Sequence, residues 1–143
     1  MSWPTILVVD ADPSFGRQVV DVCREACYFA VAAQSAAAAR HYLEHIRYEL
    51  VLIDLSLADV DSLHLLQQVT TESPDTAAIV LAPFHSVELS QRATRAGACD
   101  YLVKPVSRLE LVARLARALD RRDTASELER LRGEVMRRAA KLV

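Results

Sequence analysis

The stretch Leu50-Val51-Leu52-Ile53-Asp54 decides the fold. Four apolar residues in succession, two of them β-branched, mark a strand buried on both faces, the condition of a strand inside a parallel sheet. The run ends on a carboxylate, and burying one is costly unless it is paired or holds a metal. Asp54 escapes that cost at the C-terminal end of its strand, where it opens into a crevice. In open α/β sheets that edge is where ligands bind. Asp54 is the first candidate functional residue.

Outward from this run, strand and helix patterns alternate. Thr5 to Val9 reads as a buried strand ending at Asp10, and Asp12-Pro13 as a helix cap followed by proline at the first helical position. Phe15, Val19, Val22, Cys23 and Ala26 follow at helical spacing. Phe29 to Ala33 is a second strand, and Ser35 caps a helix with Ala39, Tyr42, Leu43 and Ile46 on its inner face. After Asp54, the loop Ser56 to Asp61 leads to a helix around Leu63, Leu66 and Val69. Ser73-Pro74-Asp75 is a turn before a fourth strand, Ala78 to Leu81. Ser86 caps the next helix, and Gly97 stands where a left-handed C-terminal cap is expected. Tyr101-Leu102-Val103 is a fifth strand ending on Lys104-Pro105. Ser107-Arg108-Leu109-Glu110 is a capping box opening a helix through Val112, Leu115 and Leu119. Strict alternation implies an α/β protein, a doubly wound parallel sheet of five strands flanked by five helices.

Bulk properties fit that reading. A chain of 143 residues suits one core, and a net charge of −2 points to neither nucleic acid nor a membrane surface. The charge is uneven: residues 121–143 carry seven Lys/Arg and four Asp/Glu, net +3, leaving −5 on residues 1–120. Cys23, Cys27 and Cys99 make an odd count with no disulfide-framework spacing. Met1-Ser2-Trp3-Pro4 lacks a basic, apolar leader, and apolar runs fall short of the ~18 residues of a membrane span. A reduced, cytoplasmic protein is expected.

The strand ends carry the chemistry. Parallel strands place Asp10, Asp54 and Lys104 on one edge of the sheet. Two neighbouring carboxylates repel, so a cation is expected between them, either Mg²⁺ or Lys104. A nucleophilic carboxylate beside a hard metal and a lysine suits phosphoryl transfer onto aspartate.

From about Ile6 to Leu119 the chain resembles the receiver domain of two-component response regulators. The matches are Ile6-Leu7-Val8-Val9-Asp10, the run from Leu50 to Leu66 around Asp54, and Gly97 to Val106 at the last strand. The resemblance implies a flavodoxin-like fold and Asp54 as the residue phosphorylated by a sensor histidine kinase or phosphotransfer protein. It implies Lys104 as the phosphoryl contact, Asp10 and Asp54 with the Ser56 backbone as Mg²⁺ ligands, and Tyr101 as the aromatic switch. It also implies a cis Lys104-Pro105 bond and a signalling role rather than an enzymatic one.

Departures from the family pattern cluster at the same site. Two adjacent acids usually follow the first strand; here the pair is Asp10-Ala11, with Asp12 one place further on, a weak replacement. The switch Thr/Ser position is Ala82, which removes a hydroxyl worth roughly 1.5–3 kcal/mol toward a charged partner. The loop after Asp54 has Ala58 and Ser62 in place of proline and glycine, and Pro83 stiffens the segment after Ala82. Two readings follow: a receiver that accepts phosphate slowly through a weakened Mg²⁺ site, or a phosphate-independent module for dimerisation or partner binding. The face of the last two strands and helices is the surface expected to move in the first and to bind in the second.

A different class is a haloacid-dehalogenase-like phosphatase, with Asp10 and Asp12 as its paired acids. Against it, Pro13 replaces the usual Thr/Val, and no later acidic pair for a metal follows. Plainer readings make Asp12 a helix cap, Cys23 and Cys27 core filler, and His41 and His45 helix surface. Tyr101 reads as half-buried packing as readily as a switch.

The receiver is expected over residues 1–122, with residues 123–143 a helical extension toward an output domain outside this chain. Leu128, Leu131, Val135 and Leu142 recur at heptad-like spacing, interrupted by Arg138. That stripe suits a signalling linker or dimerisation helix, or a solvated extension. Its charges alternate, so nucleic acid would be contacted only through an output domain.

Overall fold

The computed structural model describes residues 3–57 and 61–141, with only the backbone of Ser126. Ala58 and Leu142, singled out above, lie outside those residues. Five strands and five helices alternate: β1 (Thr5–Val9), α1 (Pro13–Glu25), β2 (Phe29–Ala33), α2 (Ala36–His45), β3 (Leu50–Asp54), α3 (Ser62–Glu72), β4 (Ala77–Ala82), α4 (Val87–Arg95), β5 (Asp100–Val103) and α5 (Arg108–Lys141). All strand pairs are parallel, in the order β2-β1-β3-β4-β5. This is the expected doubly wound, flavodoxin-like sheet.

Successive strand residues point to opposite faces, so the apolar runs feed two cores. On one face Ile6, Val8, Leu50, Leu52, Ile79 and Leu81 meet Val19 and Cys23 of α1 and Leu111 and Leu115 of α5. On the other, Leu7, Val9, Val51, Ile53 and Val80 meet Ala36 and Ala39 of α2 and Leu65, Leu66 and Val69 of α3. Each fully buried Leu or Ile contributes ~1.5–3 kcal/mol. That two-sided demand is why β3 admits a polar residue only at its end.

The helix starts follow the expected caps, and Asp61, expected only as the end of a loop, is a further one. Asp12 accepts from the Ser14 amide, Ser35 from Ala38, Asp61 from Leu63 and Ser86 from Leu89. Ser107 accepts from the Glu110 amide, one half of the capping box. Gly97 has φ +108°, and a Cβ there would stand 2.6–2.8 Å from the Thr70 side chain, whose hydroxyl donates to the Ala96 carbonyl. Glycine is required at this turn by conformation and by space.

Several details depart from the periodicity reading. In α1, Gly16 and Val20 are buried with Val19 and Cys23, while Val22 is half-buried. Leu65 takes the fully buried place in α3 that Leu63 was expected to share. Ile46 lies past the end of α2 in extended backbone and is 51% exposed. The two helix cysteines differ as well. Cys23 fills the core, its thiol pushed up to about 12 by burial. Cys27 is exposed, with φ +68° just beyond the end of α1. Ile46 and Cys27 share one cause: each lies past the end of its helix, where the chain turns away from the sheet, so a residue in register can still miss the core.

The last helix runs 34 residues without interruption across the boundary expected after residue 122. Its first turns are anchored by Leu111, Leu115, Ala118 and Leu119. Arg122 Nε donates to the Asp75 carbonyl at 2.6 Å, and beyond it Leu128, Leu131 and Val135 are exposed. Intrahelical pairs Arg130–Glu127 at 2.7 Å and Arg138–Glu134 at 2.8 Å support that stretch. No helix among the described residues is long and apolar enough to cross a membrane.

Candidate functional site

The register of the central strands assembles the site. Val9 pairs with Ile53 and Asp54 with Leu81, so Asp10 and Asp54 end adjacent strands side by side. Ala82 pairs with Val103, and the Lys104 amide donates to the Ala82 carbonyl at 2.8 Å. Lys104 therefore crosses the end of β4 to reach the acids, and its bond to Pro105 is cis.

Lys104 Nζ lies 2.6 Å from Asp10 Oδ2 and 3.5 Å from Asp54 Oδ1. Lys104 is thus one cation between the acids, as expected. The two carboxylates are almost wholly buried, 2% and 3% exposed. Main-chain donors steady both: the Asp12 amide donates to Asp10 Oδ1 at 2.9 Å, and the Ser56 amide to Asp54 Oδ1 at 3.2 Å. Burial, and Asp10 beside it, push the Asp54 carboxyl above its ordinary range, while Lys104 and the Ser56 amide pull part of the way back. A more basic carboxylate is a better nucleophile once ionised. Phe15, which the sequence marks only as one of the apolar residues at helical spacing, places its ring centroid 4.3 Å from Lys104 Nζ. That cation–π contact fixes the ammonium over the acids; no sequence spacing pointed to it.

The donor set suits a Mg²⁺ ion with few protein ligands. Two carboxylates share one ammonium, leaving net negative charge and hard oxygen donors, and Mg²⁺ is commonly held by one or two carboxylates with water. A third acid is missing at Ala11, which is exposed. Asp12 is also exposed, its carboxylate committed to the Ser14 amide. Asp10 and Asp12 thus serve different partners rather than facing one substrate as a phosphatase pair.

The switch positions lie at the β4–β5 corner. Ala82 is fully buried and offers a methyl group in place of a hydroxyl. Tyr101 is half-buried, and its hydroxyl donates to the Phe84 carbonyl at 2.9 Å, tying β5 to the segment after β4.

Comparison with known proteins follows the same outline. The family model described as the response regulator receiver domain matches residues 6–116. The alginate biosynthesis transcriptional regulatory protein AlgB of Pseudomonas putida is 31% identical over 130 residues, covering 91% of this chain and 29% of that protein. The transcriptional regulatory protein ZraR of Salmonella typhimurium is 33% identical over 124 residues, covering 86% of this chain and 28% of that protein. The chain thus spans less than a third of the length of these curated relatives. Among solved structures, a CheY-like receiver domain protein from Methanospirillum hungatei matches at TM-score 0.83 with 26% identity, covering 87% of this chain and 99% of that one. NtrX from Brucella abortus matches at TM-score 0.85 with 25% identity, covering 89% of this chain and 29% of that one. With family model, relatives and fold in agreement, the chain belongs to the receiver domains of two-component response regulators, a family that signals rather than catalyses.

Proposed function

We propose that this domain accepts a phosphoryl group on Asp54 from a partner histidine kinase or phosphotransfer protein, and does so slowly. The observation that carries the reading is Lys104 Nζ spanning Asp10 and Asp54 at the C-terminal edge of the sheet. Asp54 attacks phosphorus, an O–P bond forms as the bond to the donor's imidazole nitrogen breaks, and that nitrogen is left to take up a proton. Lys104 is then positioned to hold a phosphoryl oxygen. Receiver domains commonly bind Mg²⁺ at this place, where it neutralises charge on the phosphoryl oxygens; here Asp10, Asp54 and the Ser56 backbone would hold it. Having alanine at Ala11 weakens that site and slows the transfer. The reading places the protein in the cytoplasm with its kinase partner.

Residues 1–122 form the receiver, and residues 123–143 the helical linker toward an output domain, in keeping with relatives more than three times as long as their match. The exposed side chains of Leu128, Leu131 and Val135 support dimerisation through this helix. The face of β4, β5, α4 and α5 is the other surface available for a partner.

A second reading, a phosphate-independent interaction module, is favoured by one specific observation. Ala82 presents no hydroxyl to a phosphoryl group, so phosphorylation lacks the bond that would pull the β4–α4 segment.

Incubation with acetyl phosphate and Mg²⁺, read by intact mass for wild type and Asp54→Ala, tests the first reading. A phosphate adduct on wild type alone is expected. No adduct, with beryllofluoride also failing to bind, leaves the second. Light scattering of residues 1–143 against 1–122 tests the linker, and an unchanged oligomeric state removes the helix as the dimer element.

A further inference from the structure

The run His41-Tyr42-Leu43-Glu44-His45 closes α2, away from the strand-end acids. Residues three and four apart share one helical face, so His41, Glu44 and His45 project together. The structure brings one ligand atom from each within 4.8 Å of the others, on three exposed side chains. The two imidazole rings lie 4.7 Å apart between centroids. Histidines at i and i+4 are a recurrent way for a helix to present two nitrogens to zinc, and an acid three residues from a histidine is a known companion ligand.

One hydrogen bond prepares the cluster. His45 Nδ1 lies 2.8 Å from the His41 carbonyl oxygen. A carbonyl only accepts, so Nδ1 carries the proton and Nε2 of the neutral ring keeps its lone pair outward. Metal-binding histidines typically have their other nitrogen held in this way.

We propose that His41, Glu44 and His45 form a surface site for a borderline divalent transition metal, Zn²⁺ foremost, with water completing the coordination. Two imidazoles and a carboxylate are donors suited to Zn²⁺ and poorly suited to Mg²⁺, which prefers oxygen throughout. Zn–N bonds of about 2.0–2.1 Å need the ligand atoms to close to roughly 3.4 Å. Exposed side chains make that closure by rotation about their own bonds. The ion would bridge the last turn of α2 and hold its end, so binding stabilises the folded chain.

The test is Zn²⁺ competition against a chromophoric chelator, using the tag-free full chain. Wild type, the His41→Ala/His45→Ala double variant and Cys27→Ser are compared, each confirmed folded by circular dichroism. Cys27 is included because an exposed thiol is the competing ligand. Wild type and Cys27→Ser are expected to take one equivalent of Zn²⁺ that the histidine variant loses, with affinity down at least tenfold. Millimolar Mg²⁺ should not displace it, and Zn²⁺ should raise the Tm of wild type and of Cys27→Ser but not that of the histidine variant. Binding that survives the double substitution, binding lost with Cys27, or no competition by wild type would each overturn the site.

Discussion

Two corners of the same sheet edge, on neighbouring strands, carry different endowments. Where β1, β3 and β5 end, charges are gathered: two buried acids, a lysine across them and an aromatic ring beneath, with an acid missing at Ala11. Where β4 ends, the relay that would report a phosphoryl group is missing its hydroxyl, and Tyr101 is tied to the Phe84 carbonyl instead. Under the proposed function, acceptance and transmission are therefore separable, resting on different strands and on different kinds of interaction. The first is electrostatic and depends on charges gathered at low exposure. The second depends on a single hydrogen bond being available to pull a loop.

Removing the cation strikes the first corner hardest. Lys104→Ala leaves two buried carboxylates facing each other, and a loss of roughly 2–3 kcal/mol at neutral pH is expected; the full cost of breaking a buried pair is larger, but Lys104 is 23% exposed. Denaturant titration would measure it. The loss should shrink as pH falls through the carboxylate range, because a protonated acid needs no cation. A loss independent of pH would show that Lys104 acts there by packing.

Restoring the hydroxyl repairs the second corner. Ala82→Thr should raise beryllofluoride affinity about tenfold, or ~1.4 kcal/mol. Stability should fall by about 1 kcal/mol from filling a closed space. Unchanged affinity would mean that the β4 corner is silent for reasons beyond the missing oxygen.

Asp54→Asn tests the burial of the acceptor. Its folded carboxyl titrates above the ordinary value of 3.8, so the fold favours the protonated form. Below the unfolded value that preference costs nothing; as pH rises through the folded value, ionising Asp54 inside the protein removes stability. Asparagine avoids this, so the variant should melt a degree or two higher at neutral pH and show no gain near pH 3. A thermal melt at each pH decides it, and a variant less stable at neutral pH would mean that Lys104 more than offsets the burial.

Tyr101→Phe is the mildest change. It removes one bond at a half-exposed hydroxyl, with about 0.5 kcal/mol expected. Denaturant titration would measure it, and a loss above ~1 kcal/mol would show that the hydroxyl does more than hold the segment after β4.

The fold was legible because its signals are local and redundant. Each strand is a short apolar run, each helix opens on a side chain that caps it, and Gly97 marks the turn that no Cβ would fit. The site was legible in part for a related reason: in a parallel sheet, residues ending strands share an edge whatever the loops do. Asp10, Asp54 and Lys104 follow from that alone. Phe15 does not, since an apolar residue in the first turn of a helix looks the same whether it faces the core or a lysine. Cys27 and Ile46 were misplaced because periodicity says which face a residue takes, not where the helix leaves the sheet.

By itself, the order of residues determined the alternation of elements, the acids and lysine at the strand ends, and the absence of an acid at Ala11 and a hydroxyl at Ala82. These are statements about identity and spacing, which tertiary contacts do not alter. Only the tertiary structure decided that Lys104 sits against Asp10 more closely than Asp54, that the Phe15 ring lies beneath its ammonium, and that Tyr101 reaches the Phe84 carbonyl. Each of these contacts joins residues far apart in the chain, so it is set by how helices and strands pack rather than by any one segment's own preference.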